Sequence, residues 1–268
     1  MTYWNEKAAL VTGGSAGLGK AIARSLVSAG ARVALVARDA SNLRSAADEL
    51  GGAARGVVSI PADVTREDDV ARMAERAGSE LGTIDGPLFH GAGRSDRGEA
   101  LATPVSRFDE LWRINFVAAV LCAQALAPAL RAARGHLVLI GSLASKSASR
   151  HLGAYPAAKF ALAAFAQQMR LEHDARELHT LLVCPGPLAR VDAGSRYDAR
   201  AVGLPDSARR PGGGVKLKGL DPERLAARIL DACRDRRAEL IVPGRARMLF
   251  ALSQLSPAWG DWFVRRMT

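Results

Sequence analysis

Ser142, Tyr155 and Lys159 fall in one run, IGSLASKSASRHLGAYPAAKF, and their types and spacing suit acid–base chemistry. Tyr155 and Lys159 are four residues apart, so on a helix they share a face, one turn from each other. An ammonium beside a phenol favours the phenolate, so Lys159 is expected to lower the Tyr155 pKa from about 10. That would make the phenol a usable proton donor and acceptor nearer neutral pH. Ser142 follows the apolar run 136–140, which has the pattern of a strand, and a strand end before a helix can set a hydroxyl beside the phenol. A Tyr and a Lys at this spacing also occur without function, as a half-buried ring beside a solvated ammonium. The start of the chain decides between these readings.

Residues 7–11 read as a short apolar strand. They run into Thr12-Gly13-Gly14-Ser15-Ala16-Gly17-Leu18-Gly19, and residues 20–29 then have helical periodicity, closed by Gly30. Strand, glycine-rich turn and helix together let the backbone approach a pyrophosphate, whose charge is favourable at a helix N-terminus. A tight turn with no ligand is the competing account. The second strand, 32–36, leads into Ala37-Arg38-Asp39. An acidic residue here suits the ribose hydroxyls of NAD(H), whereas a basic one suits the extra phosphate of NADP(H). Ala37 followed by Arg38 points to NADP(H) over NAD(H), although Asp39 could pair with Arg38 and blunt it.

Strands and helices continue to alternate. Strands are expected at 57–60, 85–89, about 136–141, 178–184 and 239–242, and one long helix over about 104–133 is expected to hold Asn115. A helix carrying Tyr155 is expected to run to about 176. This alternation predicts an α/β fold, a single doubly wound Rossmann domain with a parallel sheet, over residues 1–244. A substrate lid is expected over about 187–219, and a helical tail over 245–268 packed on the same domain.

Composition narrows the function classes. At 268 residues, 49% hydrophobic and 24% charged, the chain is globular rather than disordered. The net charge of +10 is spread along the chain, with no basic run flanked by aromatics, so nucleic acid is not an expected partner. The N-terminus lacks the charged-then-apolar order of a signal peptide. No stretch reaches about 18 uninterrupted apolar residues, and 116–130, interrupted by Gln124 and Pro128, reads as a core helix. Cys122, Cys184 and Cys233 are odd in number and scattered, which fits reduced thiols and a cytoplasmic setting. The five histidines show no metal-ligand spacing, so no metal is expected.

Taken together, Thr12-Gly13-(x)3-Gly17-Leu18-Gly19, Asp63-Val64, Asp85, Ala92-Gly93, Asn115, Ser142, Tyr155-(x)3-Lys159 and Pro185-Gly186 resemble a short-chain dehydrogenase/reductase of the classical type over about residues 6–245. The resemblance implies a catalytic tetrad of Asn115, Ser142, Tyr155 and Lys159. It also implies hydride transfer between nicotinamide and a carbonyl or secondary alcohol. Tyr155 would be the acid–base group, Ser142 a hydrogen-bond donor to the same oxygen, and Asn115 an anchor for a water linking Lys159 to solvent. Cofactor contacts are implied for Thr12, Gly13, Ser15, Gly17, Leu18, Gly19, Arg38, Asp63, Val64, Ala92, Gly93, Pro185 and Gly186, with Tyr155 and Lys159. Family members usually pair through the helices that carry Asn115 and Tyr155, which implies a homodimer or homotetramer.

Three departures stand out. His90-Gly91 replaces the usual Asn-Asn, and His90 reads as a packed strand-end residue rather than a catalytic one. Arg190 stands where a Thr often contacts the nicotinamide amide. Pro156, directly after Tyr155, should fix the helix start there.

The substrate is less legible. The stretch 190–218 has five Arg and two Lys against Asp192, Asp198 and Asp206, which suits an anionic acyl substrate or simple loop solvation. The tail, rich in Leu and Trp with arginines at both ends, resembles extensions of family members that act on lipid-like carbonyls. It would cover the cleft, form a subunit interface or touch a membrane surface. The alternative reading of another class is an NADP(H)-binding regulatory protein with little turnover.

Overall fold

The structure is a computed structural model and describes residues 2–189, 197–215 and 217–267. Arg190 and part of the expected lid lie outside the described residues. The elements in chain order are β1 (Ala8–Thr12), α1 (Gly17–Ser28), β2 (Arg32–Ala37), α2 (Ala40–Glu49), β3 (Val57–Pro61), α3 (Glu67–Leu81), β4 (Pro87–His90), α4 (Val105–Trp112), α5 (Ala118–Ala132), β5 (His136–Ile140), α6 (Tyr155–Glu172), β6 (His179–Pro185), α7 (Pro222–Arg234), β7 (Glu239–Val242), α8 (Ala246–Leu255) and α9 (Pro257–Met267).

The seven strands form one parallel sheet in the order β3-β2-β1-β4-β5-β6-β7. The alternation of strand residues sorts the core into two layers. Ala9 and Val11 of β1 and Val33 and Leu35 of β2 face α1, α2 and α7. Ala8, Leu10, Ala34 and Val36 face α3, α5 and α6. This is the doubly wound, Rossmann-like fold expected from the sequence. Strand order reverses between β1 and β4, and a crevice opens at that switch point beyond the strands' C-terminal ends.

Three departures from the expected elements have local causes. β4 starts at Pro87 rather than 85, because the Asp85 carboxylate takes the Ala8 N–H at 2.8 Å and fills that ladder position. The helix expected over 104–133 is interrupted by a π-helical turn, Arg113–Val117, with Asn115 at its centre. α6 stops at Glu172 rather than 176, where His173 turns extended. Pro156 sits in the first turn of α6, which starts at Tyr155 as expected. The tail forms two helices, parted at Ser256-Pro257, that pack on each other. The run 105–132 is long and apolar enough by composition to cross a membrane. Its inner residues, among them Cys122, Leu126 and Leu130, are core packing against the sheet.

Candidate functional site

A cavity of about 830 Å³ lies at the switch point. Its cofactor-side wall is the β1–α1 turn. A Cβ on Gly19 would stand 2.2 Å from the Gly13 carbonyl oxygen, and Gly13 and Gly17 have φ of +70° and +55°. These positions therefore require glycine. α1 begins after Ala16, with no side-chain cap and no acid in its first turn, so its first N–H groups are open to an anion. The residues present thus fit a dinucleotide pyrophosphate. Gly13, Gly17, Leu18, Gly19, Ala92 and Gly93 line the cavity.

Thr12, Ser15, Arg38, Asp63 and Val64 do not line it. Thr12 is fully buried and works as a brace. Its hydroxyl takes the Ala92 N–H at 3.2 Å and bonds His90 Nδ1 at 3.1 Å, tying β1 to the end of β4. Arg38 is exposed at the end of β2. Asp39 does not pair with it, because its carboxylate caps α2 through the N–H groups of Ser41 and Asn42. At the end of β3, burial works to raise the Asp63 carboxyl. Hydrogen bonds from the Thr65 hydroxyl and N–H, and the Arg38 and Arg66 guanidinium groups, outweigh it and hold the pKa below the usual value.

Ser142, Tyr155, Lys159 and Asn115 meet at the cavity floor, beside Pro185 and Gly186 at the end of β6. Ser142 follows β5 and starts a short 3-10 turn. Its Oγ accepts the Ala144 N–H, and its hydroxyl lies near enough to the Tyr155 phenol to favour the phenolate. Asn115 Nδ2 donates to the Leu111 and Arg94 carbonyls, and its Oδ1 accepts the Arg94 N–H at 3.0 Å. The π-turn thus pins the loop after β4 against this helix. A Cβ on Gly93 would crowd Asn115 Oδ1 at 2.8 Å and lie 3.6 Å from Lys159 Nζ, so these groups pack together.

The expected effect of Lys159 on Tyr155 is not met in this arrangement. Burial pushes Tyr155 up to about 12, opposed by the nearby Ser142 hydroxyl and the Arg97 guanidinium. Lys159 is itself pushed down to about 8 by burial. Its ammonium donates to the Ile140 carbonyl at 2.8 Å and sits 5.9 Å from the centre of the phenol ring rather than at its oxygen. Sharing a helix face placed the two side chains together, but the β5 carbonyl captured the ammonium.

His90 is a packed strand-end residue, as expected. Burial, then the nearby Lys159 ammonium, pushes it down to about 3, and its Nε2 has no partner among the described residues. Sequence reasoning missed Arg94, Ser95 and Arg97, which come from the loop after β4 and carry no motif, since only packing brings them to the site. Tyr197 comes from the expected lid, and Arg245, Ala246, Leu249, Phe250 and Val264 from the tail. The tail therefore closes part of the cleft, one of the three placements expected for it. Packing also gathers His136, His179 and Cys233 with their ligand-type atoms within 4.8 Å of one another, which spacing along the chain did not suggest. All four imidazole nitrogens there are engaged in hydrogen bonds, and the Arg236 guanidinium lies beside them, so the group reads as a structural strut.

The family model for short chain dehydrogenase matches residues 7–199. Dehydrogenase/reductase SDR family member 7B of Danio rerio is 31% identical over 253 residues, covering 89% of this chain and 78% of that protein. The ketoacyl reductase HetN of a Nostoc species is 28% identical over 273 residues, covering 99% and 90%. A solved short chain dehydrogenase/reductase from Burkholderia phymatum, in complex with NAD, superposes with a TM-score of 0.82 at 19% identity over 96% of both chains.

Proposed function

The chain belongs to the short chain dehydrogenase family of oxidoreductases, which work with a nicotinamide cofactor, and from that premise we propose that it is an NADP(H)-preferring carbonyl reductase. The observation that carries this reading is the meeting of Ser142, Tyr155 and Lys159 on the floor of one cavity whose other wall is the open, glycine-lined start of α1. A bound nicotinamide supplies hydride to the carbonyl carbon, or accepts it in reverse. The chain's own groups handle the proton and the charge. Tyr155, held protonated at neutral pH by burial, gives its proton to the carbonyl oxygen as negative charge develops there. Ser142 donates a hydrogen bond to that oxygen. Lys159 holds the polar floor, and a water anchored beside Asn115 would link it to solvent, the source of replacement protons for Tyr155.

NADP(H) preference rests on Arg38. It is exposed at the end of β2, beside Ala37, and the neighbouring carboxylate of Asp39 is spent on capping α2. Asp63 feels its charge, but no carboxylate among the described residues forms a salt bridge with it, so the guanidinium can take a 2′-phosphate. A homodimer or homotetramer through the helices of Asn115 and Tyr155 is supported by Trp112 on α4 and Phe160 on α6, both more than two-fifths exposed.

The test is NADPH-dependent reduction of a carbonyl panel, with cofactor binding followed by nicotinamide fluorescence. Turnover that Tyr155→Phe abolishes supports the reductase. Cofactor binding with no Tyr155-dependent turnover on any carbonyl would leave the cofactor-binding regulatory reading instead.

A further inference from the structure

Among the described residues, the cavity wall carries four cationic side chains, Arg94, Arg97, Lys159 and Arg245, and no Asp or Glu. Lys159 belongs to the reacting floor. Arg94 is paired with Glu110 at 2.7 Å, and Arg245 is exposed. Arg97 differs from all three. It is only 5% exposed, and Tyr197 lays its ring against the guanidinium at 3.6 Å. Three of its five N–H donors go to backbone carbonyls: Nε to Ala208 and Nη1 to Asp96, each at 2.5 Å, and Nη2 to Arg210 at 2.9 Å.

These acceptors are neutral. The carboxylate whose charge reaches it, Asp96, is gripped by Arg107 through both oxygens, at 3.0 and 3.1 Å, with Arg200 at 3.5 Å. Among the described residues no carboxylate is ion-paired with Arg97, although the charge of Asp96 still reaches it. A buried cation without an ion pair of its own is costly to keep. Its charge reaches Tyr155, where it favours the phenolate, so it stands on the reacting side of the cavity. Much of the remaining wall around it is apolar, including Leu143, Leu152, Leu217, Leu249 and Phe250.

We infer that the site takes a carbonyl compound with an apolar body and an anionic group, a carboxylate, that pairs with Arg97. This specificity rests on the reductase reading for its reaction, but the anion site itself can be tested without turnover. Phenyl-substituted straight-chain acids of three, four and six carbons (3-phenylpropanoate, 4-phenylbutanoate and 6-phenylhexanoate) and their amides share apolar bodies and offer no ketone to reduce. They are titrated calorimetrically into the protein with and without NADP+.

At least one acid should bind about tenfold or more tightly than its amide, as expected for a charge-assisted bond in a dry site. Arg97→Met should bring that ratio close to one, and Arg97→Lys should keep part of it. A purely structural Arg97 would weaken acid and amide together and leave the ratio intact, which overturns the inference. So would equal binding of acid and amide across the series in the unmutated protein, a result that does not depend on any variant folding. In parallel, 4-oxo-4-phenylbutanoate and its methyl ester are offered with NADPH. An Arg97-dependent acid preference without Tyr155-dependent reduction would remove the reductase reading and leave the anion site standing.

Discussion

The two ends of the central strands both bury histidine, and they treat it in opposite ways. At the N-terminal end, His136 opens β5 and His179 opens β6, both nearly inaccessible. His179 Nε2 faces the Arg237 carbonyl at 2.9 Å and so must carry a proton, which leaves its Nδ1 as an acceptor. His136 Nδ1 donates to it at 2.9 Å, and His136 Nε2 accepts the Tyr3 hydroxyl at 2.8 Å. Every nitrogen is used, and both rings are neutral. At the C-terminal end, His90 closes β4 with one nitrogen braced by Thr12 and the other unpartnered among the described residues. Around it Tyr155, Lys159 and Arg97 are desolvated and held away from their ordinary pKa values. A polar group buried for stability has its partners built in. One buried for chemistry keeps capacity for a group that arrives later.

That contrast is broken most sharply by Tyr155→Phe. Loss of a positioned acid should cut turnover by about 10²–10⁴-fold while NADPH affinity changes little, read by steady-state rates beside fluorescence titration. Comparable turnover in the variant would move the chemistry elsewhere. The opposite end should answer the other way. His136→Ala strands the buried His179 Nδ1, at about 1–3 kcal/mol, while the exposed Tyr3 hydroxyl can turn to water. A denaturant melt should show that loss while kcat on the folded fraction stays at the parent value. A matching loss of kcat would mean that the two ends are coupled.

Arg38→Ala sharpens the cofactor side. Losing a charge-assisted phosphate contact, about 1.5–3 kcal/mol, should weaken NADPH roughly tenfold to a hundredfold and leave NADH little changed. Equal weakening of both would deny Arg38 the 2′-phosphate.

The smallest effect is a slope against pH. His90 and His136 are each held at about 3 in the fold, against an ordinary value of 6.5. Below pH 6.5 the unfolded chain takes up protons that the folded rings refuse. Stability should therefore fall as pH drops from 6.5 towards 3, by up to about 1.4 kcal/mol per pH unit for each ring. His136→Ala should make the slope shallower. Melts that are flat across pH 6.5 to 4.5 would show that the rings are not buried neutral.

Much of the fold is legible in the chain. Strand–helix alternation, the glycines before α1 and Pro156 after Tyr155 each act through neighbours within a few residues. The helix interruption at Asn115 is not legible, because the turn is held by Arg94, twenty-one residues away. The failed expectation for Lys159 has the same origin. Helical spacing gives a shared face, but the competing acceptor, the Ile140 carbonyl, belongs to β5. Arg97 escaped notice because its partners come from the lid, more than a hundred residues on.

By itself, then, the sequence determined the alternating elements, the glycine turn for an anion and the set of Ser142, Tyr155, Lys159 and Asn115. Local periodicity and backbone freedom are properties of short stretches. Only the tertiary structure decided how the buried charges resolve: Tyr155 protonated, His90 half-satisfied, His136 and His179 saturated, and Arg97 held by backbone carbonyls with no ion pair among the described residues. Desolvation and hydrogen-bond competition depend on groups that meet only when the sheet, lid and tail close over one another.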